Sequence, residues 1–202
     1  MFILGITGGI ATGKSLVVKI LRDLGACVIS ADEIVHFLLS QSYYLNKIRK
    51  FFGNEVFDGE ILNRKKLGRI IFSSEEKREK LNNLLHPPVL KIMKEEIEKN
   101  KEKKGILAFE VPLLFEVGIE DWFDEIWVVY APLEKQLERL MKRDNISYEE
   151  AINRIKAQIS LEEKIKRADY VIDNSKDIED TIKQVKDRFC YIKRMAYNNK
   201  NG

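Results

Sequence analysis

Phe2-Ile3-Leu4-Gly5-Ile6-Thr7-Gly8-Gly9-Ile10-Ala11-Thr12-Gly13-Lys14-Ser15 decides the fold, because an apolar run passes directly into a complete Gly-x-x-x-x-Gly-Lys-Ser loop. Residues 2–7 read as a buried strand. The glycines of the loop permit backbone angles that a side chain forbids, so successive N–H groups turn inward and cradle an anion. Lys14 adds a point charge, the Ser15 hydroxyl suits a magnesium ion, and the helix that starts there directs its positive dipole end at phosphate. Leu16, Val17, Ile20, Leu21 and Leu24 follow as one apolar stripe at helical spacing. Strand, loop and helix thus frame a nucleoside triphosphate, with Gly9, Ile10, Ala11, Thr12, Gly13, Lys14, Ser15 and Leu16 as candidate contacts.

Working outward, short runs rich in β-branched and aromatic residues recur at 27–30, 106–109, 125–130 and 170–172, with helical patterns between them. Their hydrophobicity is near-continuous rather than alternating, as in strands buried on both faces of a parallel sheet covered by helices. The chain is therefore α/β, and residues at the carboxyl ends of the strands are the first suspects for chemistry. Counting 2–7 as the first of five runs, the interval between the second and third carries helical patterns at 33–39, 43–52, 64–72, 75–85 and 88–98. That is far more than a crossover needs, so residues 33–105 form a helical insertion into a core of 1–32 and 106–202. Between the fourth and fifth runs, 133–143 and 148–167 read as two helices loaded with Arg and Lys. Ser147 and Glu150 form a capping-box pattern at their joint. A basic helical hairpin over 133–167 suits a lid that closes on a triphosphate.

At 202 residues with 35 basic and 32 acidic side chains, the net charge of +3 gives no reason to expect a nucleic-acid partner. No apolar stretch spans a bilayer, no basic leader precedes the first strand, and Cys27 and Cys190 stand apart without metal-ligand spacing. A cytoplasmic protein in a reducing compartment is expected, as a monomer or weak homo-oligomer. The tail after Phe189 reads as frayed.

A guanine-specific Asn-Lys-x-Asp motif does not follow any strand, which argues against a GTPase. Compact size, a helical insertion and an arginine-rich lid favour a small-molecule kinase; a nucleotide-dependent switch protein is the alternative from another class. Gly5-Ile6-Thr7-Gly8-Gly9-Ile10 with Gly13-Lys14-Ser15, Val28-Ile29-Ser30-Ala31-Asp32, Leu85-His86-Pro87, Val111-Pro112-Leu113-Leu114-Phe115-Glu116 and Ala168-Asp169-Tyr170-Val171-Ile172-Asp173-Asn174 resemble dephospho-CoA kinases in order and spacing over about residues 1–175. The resemblance implies a nucleoside-kinase-like, five-stranded P-loop fold and transfer of the γ-phosphate of ATP, with Mg2+, to the 3′-hydroxyl of dephospho-CoA. An alcohol holds its proton at neutral pH, so a carboxylate that orients and deprotonates it helps the reaction. The resemblance gives that role to Asp32; read without it, Asp32 suits a helix N-cap equally well.

The same resemblance places Lys14 and Arg143 with Asp32 in catalysis, and Thr7, Arg64 and His86 with Asp32 on the acceptor. His86 alternatively opens a helix at the prolines that follow it. Arg139 and Arg143, four apart on one helical face, both reach toward the triphosphate, and Arg154 and Gln158 match the next lid helix; ordinary pairing with Glu134, Glu138 or Glu150 is the alternative. Glu110 ends the third strand, where it serves the magnesium ion together with Ser15 or caps the turn before Pro112. Asn174 borders the adenine or forms a turn. The chain departs from the family pattern at Ser30, where Asp is usual, and at Glu110, where Asp is commoner.

Overall fold

A computed structural model describes residues 1–198, in which the chain forms strands β1 (Phe2–Gly8), β2 (Cys27–Ser30), β3 (Phe57–Asp58), β4 (Ile61–Leu62), β5 (Ile106–Glu110), β6 (Glu125–Tyr130) and β7 (Tyr170–Asp173). Its helices are α1 (Lys14–Asp23), α2 (Ala31–Leu38), α3 (Ser42–Phe52), α4 (Arg64–Ser73), α5 (Glu75–Asn100), α6 (Leu133–Asp144), α7 (Tyr148–Lys156), α8 (Leu161–Lys166) and α9 (Ile178–Asn198). The backbone resolves into two compact units, one of Met1–Ala31 with the chain from Glu96 onward and one of Asp32–Glu95.

The first unit is a five-stranded sheet in the order β2-β5-β1-β6-β7, parallel throughout. The apolar run that opens the chain lies at its centre because both its faces and both its edges can be covered. Side chains alternate across the strand. Leu4 and Ile6 join Val17, Leu21, Trp127, Val129, Ile172, Val185, Phe189 and Ile192 in a core beneath α1 and α9. On the opposite face Gly5 leaves room for Leu114 and Phe123, whose side chains would lie 2.9 and 3.0 Å from a Cβ placed there. The sheet therefore buries β1 from Ile3 to Gly8 and ends it, at its carboxyl edge, in the phosphate loop.

A fully apolar core is interrupted at Glu125, which is buried in β6. Arg188 of α9 donates to both its oxygens, at 2.7 and 2.9 Å, and the Trp127 indole N–H donates at 2.6 Å. This pairing fixes α9 on the sheet and carries the helix past the point where the sequence reads as frayed. Ile192 is fully buried and α9 runs to Asn198.

In the second unit α3, α4 and the amino-terminal part of α5 carry the buried residues Ile48, Phe52, Leu67, Leu81 and Leu85, with Val56 and Phe57 between them. A β3–β4 hairpin turns at Gly59, where φ is +63°, and Asn63 caps α4 by accepting from the Lys66 N–H at 3.0 Å. The sequence reads as two helices broken at the prolines, whereas α5 is continuous through Pro87 and Pro88. Each proline removes one helical hydrogen bond, yet Leu81, Leu85, Val89 and Met93 form a buried stripe at intervals of four across the break. Packing along that stripe outweighs the local preference, so His86 sits inside a helix rather than at the start of one.

Gly8 sets the tightest steric limit on the sheet. Its φ is +148° and a Cβ there would stand 2.5 Å from the Val129 carbonyl oxygen in β6. Gly8→Ala is expected to cost about 1–3 kcal/mol by overpacking, read as a lowered Tm. An unchanged melting curve would show that β6 yields at this point.

Candidate active site

The loop between β1 and α1 is shaped by three positive φ values, at Gly8, Ala11 and Gly13. Ala11 has φ 58°, which costs an L-residue about 1–2 kcal/mol. The strain is held from outside: Ile10 and Ala11 pack against Leu137, Leu140 and Ala151 of α6 and α7. From inside, the buried Thr12 hydroxyl donates to the Gly9 carbonyl at 3.0 Å, and Lys14 Nζ donates to the Gly9 and Gly8 carbonyls at 2.7 and 3.2 Å. The start of α1 directly after this loop is where a helix N-terminus offers N–H groups to an anion.

The Thr12 carbonyl is the anchor of this arrangement. It accepts from Asn174 Nδ2 at 2.7 Å and from Arg139 Nη1 at 3.3 Å. Arg139 Nη2 in turn donates to the Asn174 carbonyl at 3.2 Å, and Thr181 of α9 donates to Asn174 Oδ1 at 3.0 Å. A Cβ at Gly13 would lie 2.0 Å from Asn174 Nδ2, so a glycine is required there for closeness as well as for its φ of +98°. Asn174 is thus a buried strut beneath the loop. Gln136 is a second strut: its Nε2 donates to Ala131 O at 2.8 Å, and its Oε1 lies 2.7 Å from where a Cβ of Gly9 would stand.

The two lid arginines part company. Arg139 is committed to the loop, while Arg143, one turn further along α6, donates to both oxygens of Asp144 at 2.7 and 3.2 Å. Arg154 of α7 joins the same carboxylate at 2.6 Å. Arg139 thus bonds two backbone carbonyls, and Asp144 accepts from both Arg143 and Arg154. The Arg143 hydrogen bond, with the charges of Arg143 and Arg154, lowers the Asp144 pKa from 3.8 against a smaller opposing effect of burial. A lowered carboxylate pKa stabilises the fold above the unfolded value and ceases to do so as pH falls through the folded one. The lid pairing is therefore an acid-sensitive element. Ser147 and Glu150 form the capping box that the sequence shows, but residues 148–167 are two helices. Ser160 caps α8 by accepting from the Glu163 N–H at 3.2 Å, a Ser-x-x-Glu signal equal to the one read at Ser147. Gln158 lies in the turn between them.

The remaining candidates are distributed as follows. Thr7 is fully buried, and its hydroxyl donates to Pro112 O at 3.2 Å. Ser15 is exposed on the first turn of α1. Glu110 ends β5 in register with Ile6 and Ser30. Asp32 is exposed in the first turn of α2, inside the helix rather than at its cap. Arg64 opens α4 and is exposed; His86 is half-buried in α5, and burial lowers its pKa from 6.5, so it is neutral at pH 7. Leu16 is half-buried and packs on the core below the loop. Cys27 and Cys190 are exposed thiols.

No group of three acidic, His or Cys side chains that could hold a metal ion is present among the described residues. Magnesium keeps most of its water and is bound by one or two protein oxygens plus substrate phosphate. An exposed hydroxyl at Ser15 with a single carboxylate at Glu110 fits that pattern, and does not fit an all-protein cage. No helix among the described residues is long and apolar enough to cross a membrane.

Sequence reading also passed over Lys164, which lies in a Lys- and Glu-rich stretch that looks solvated. It is fully buried, donating to Pro112 O and paired with Glu116 Oε1, both at 2.8 Å. Nothing in its local sequence distinguishes it from its exposed neighbours.

A central parallel strand running into a strained Gly-Lys-Ser loop, with an arginine-bearing helical hairpin packed on that loop, defines a P-loop phosphotransferase of the small-molecule kinase type. The dephospho-CoA kinase family model matches residues 2–180, and the chain belongs to that family. It is 47% identical over 188 residues to the dephospho-CoA kinase of Carboxydothermus hydrogenoformans, covering 91% of this chain and 90% of that one. Two crystal structures are similar at 33% identity. One is a Thermus thermophilus protein with a TM-score of 0.78, covering 95% of this chain and 97% of that one. The other is the Campylobacter jejuni dephospho-CoA kinase with a TM-score of 0.62, covering 94% and 96%.

Asn174→Ala removes the shorter of the two bonds to the Thr12 carbonyl and leaves the buried Thr181 hydroxyl only its longer bond to the Asp177 carbonyl, at 3.3 Å. It is expected to lower stability by about 1–3 kcal/mol and to weaken ATP binding, measured by thermal melting and calorimetry. Wild-type ATP affinity would show that Arg139 alone fixes the loop.

Proposed function

We propose that the chain transfers the γ-phosphate of ATP to the 3′-hydroxyl of dephospho-CoA, giving coenzyme A in the last step of its biosynthesis. The observation that supports this reading is the Gly-Lys-Ser loop braced at the Thr12 carbonyl by Asn174 and Arg139. Phosphoryl transfer asks for positioning and charge stabilisation more than covalent chemistry, and the residues divide accordingly. Gly9, Ile10, Ala11, Thr12, Gly13 and Leu16 form the ATP-binding loop and its base. Lys14 lies on the loop carbonyls with its charge directed at the β- and γ-phosphates. Arg139 couples the loop to the lid.

Arg143, with most of its side chain exposed, exchanges its bonds to Asp144 for transferring phosphate oxygens. Exposed ion pairs of this kind are weak, about 0–1 kcal/mol, so exchange is inexpensive. Ser15 and Glu110 would hold magnesium, which when bound neutralises charge on the phosphate oxygens. Asp32 takes the proton of the acceptor hydroxyl, and Ser30 stands where the family usually has a further aspartate. Thr7, Arg64 and His86 serve the acceptor; being neutral at pH 7, His86 does so by hydrogen bonding rather than charge. In this reading residues 33–105 are the acceptor-binding insertion, 133–167 the lid, and 1–32 with 106–202 the nucleotide-binding core. The enzyme works in the cytoplasm as a monomer or weak homo-oligomer, without nucleic-acid or membrane partners.

Turnover is tested by ADP release with dephospho-CoA and, separately, with nucleoside monophosphates as acceptors; faster turnover of the monophosphates would overturn the assignment. Asp32→Asn should lower kcat by about 10²-fold or more. Because Asp32 occupies the first turn of α2, losing its charge there costs only about 0.3–1 kcal/mol of stability. A variant that melts early yet turns over normally would assign Asp32 a structural role.

Arg143→Lys keeps the charge but loses the planar fork, and should lower kcat with little change in Tm. An effect confined to dephospho-CoA affinity would move Arg143 to the acceptor site.

A further inference from the structure

Two side chains near the amino-terminal end of α9 take hold of the segment that leaves β7, each in a different way. Gln184 grips the backbone: its Nε2 donates to the Asp173 carbonyl and its Oε1 accepts from the Asp173 N–H, both at 2.9 Å. Thr181, about one turn earlier, reaches the next side chain instead, and its hydroxyl donates to Asn174 Oδ1 at 3.0 Å. The same hydroxyl lies 3.3 Å from the Asp177 carbonyl oxygen. A hydroxyl has one proton and two lone pairs. Were the proton on the Asp177 side, lone pairs of Thr181 and Asn174 would face each other at 3.0 Å between two buried residues. The proton therefore belongs to the Asn174 bond.

An amide has a donor end and an acceptor end of nearly equal size, so its direction is set by what meets each end. Here Oδ1 takes the Thr181 proton and Nδ2 meets the Thr12 carbonyl at 2.7 Å; a turned amide would set its oxygen against the Thr12 oxygen. The bond to Thr12 also governs the other half of the peptide it grips. The Thr12–Gly13 peptide is trans, and a trans peptide carries its C=O and N–H on opposite sides of one plane. With the Thr12 carbonyl turned to Asn174, the Gly13 N–H is aimed the opposite way, off the strut. We infer that Thr181 is a positioning residue for nucleotide binding: through Asn174 it sets the plane of this peptide, and so the direction in which the Gly13 N–H is offered to a phosphate oxygen. Thr181 does this from beneath Asn174, without touching the nucleotide. Removing its proton leaves Oδ1 as a buried acceptor without a donor, which favours a turned amide and releases the Thr12 carbonyl. The inference rests on the reading of this loop as the ATP site, and extends control of that site to α9.

Thr181→Val keeps the branched shape and removes the proton, whereas Thr181→Ser keeps the proton and removes a methyl group. Calorimetry of the full-length variants with ATP and, separately, with inorganic tripolyphosphate is expected to show both ligands bound about 5- to 30-fold more weakly by Thr181→Val. Both should weaken together because the defect lies in the phosphate cradle. Thr181→Ser should bind both within about threefold of wild type, even if its Tm falls below that of Thr181→Val. Wild-type ATP affinity in Thr181→Val would overturn the inference. So would Thr181→Ser binding as weakly as Thr181→Val, which would make Thr181 a packing residue. A loss for ATP with tripolyphosphate unchanged would put Asn174 on the adenine and overturn it as well. Wild-type protein that binds neither ligand would sink the reading of the loop itself. Dephospho-CoA takes no part in these titrations, so an error in the proposed acceptor would leave them untouched.

Discussion

The carbonyl oxygen of Thr12 is the point on which the nucleotide site depends. It receives a donor from the segment after β7 and another from α6, so loop, sheet edge and helix share one acceptor. β7 lies two strands from β1 across β6, about 10 Å at ordinary strand spacing. Asn174 spans the remaining interval because it leaves β7 with its N–H on the Tyr130 carbonyl and its amide turned inward. Gly13 is required for the same contact, since any side chain would occupy the position of that amide. A left-handed Ala11 persists because its neighbours fix both its ends and its side chain is packed on the lid helices.

Buried charge is used for fastening rather than for catalysis in two further places. Glu125 with Arg188 holds α9 against the sheet, and Glu116 with Lys164 holds α8 against the turn after β5. Removing one partner of such a pair leaves an uncompensated buried charge, a loss of about 3–5 kcal/mol. The two pairs differ from the Arg143–Asp144 pair, whose guanidinium is mostly exposed; Arg154, which shares that carboxylate, is itself largely buried.

Helix α5 shows how packing extends a segment that local chemistry would end. Pro87 and Pro88 each delete a helical hydrogen bond, but four large side chains at intervals of four are buried on one face. Each such burial is worth about 1.5–3 kcal/mol, comparable to or greater than the penalty at a proline. The break between α7 and α8 is the opposite case. Ser160 with Glu163 supplies a new cap, so the chain stops and restarts helix where the apolar pattern alone reads as continuous.

The phosphate loop, the five strands and the parallel sheet were legible in the sequence because their signals are local: backbone freedom at glycine, unbroken apolar runs, and a basic helical hairpin. The family was legible for the same reason, as short motifs in fixed order. The strand order, the strut at Asn174, the buried state of Lys164 and the separate tasks of Arg139 and Arg143 were not. Each depends on which distant residue arrives beside it. Asn174 lies 162 positions from Thr12 and reads locally as a turn former, and Lys164 reads as one more solvated lysine until Pro112 and Glu116 enclose it. Sequence by itself determined what the loop binds, because the cradle is made of its own backbone; tertiary structure decided what holds the cradle in shape, because those donors come from elsewhere in the chain.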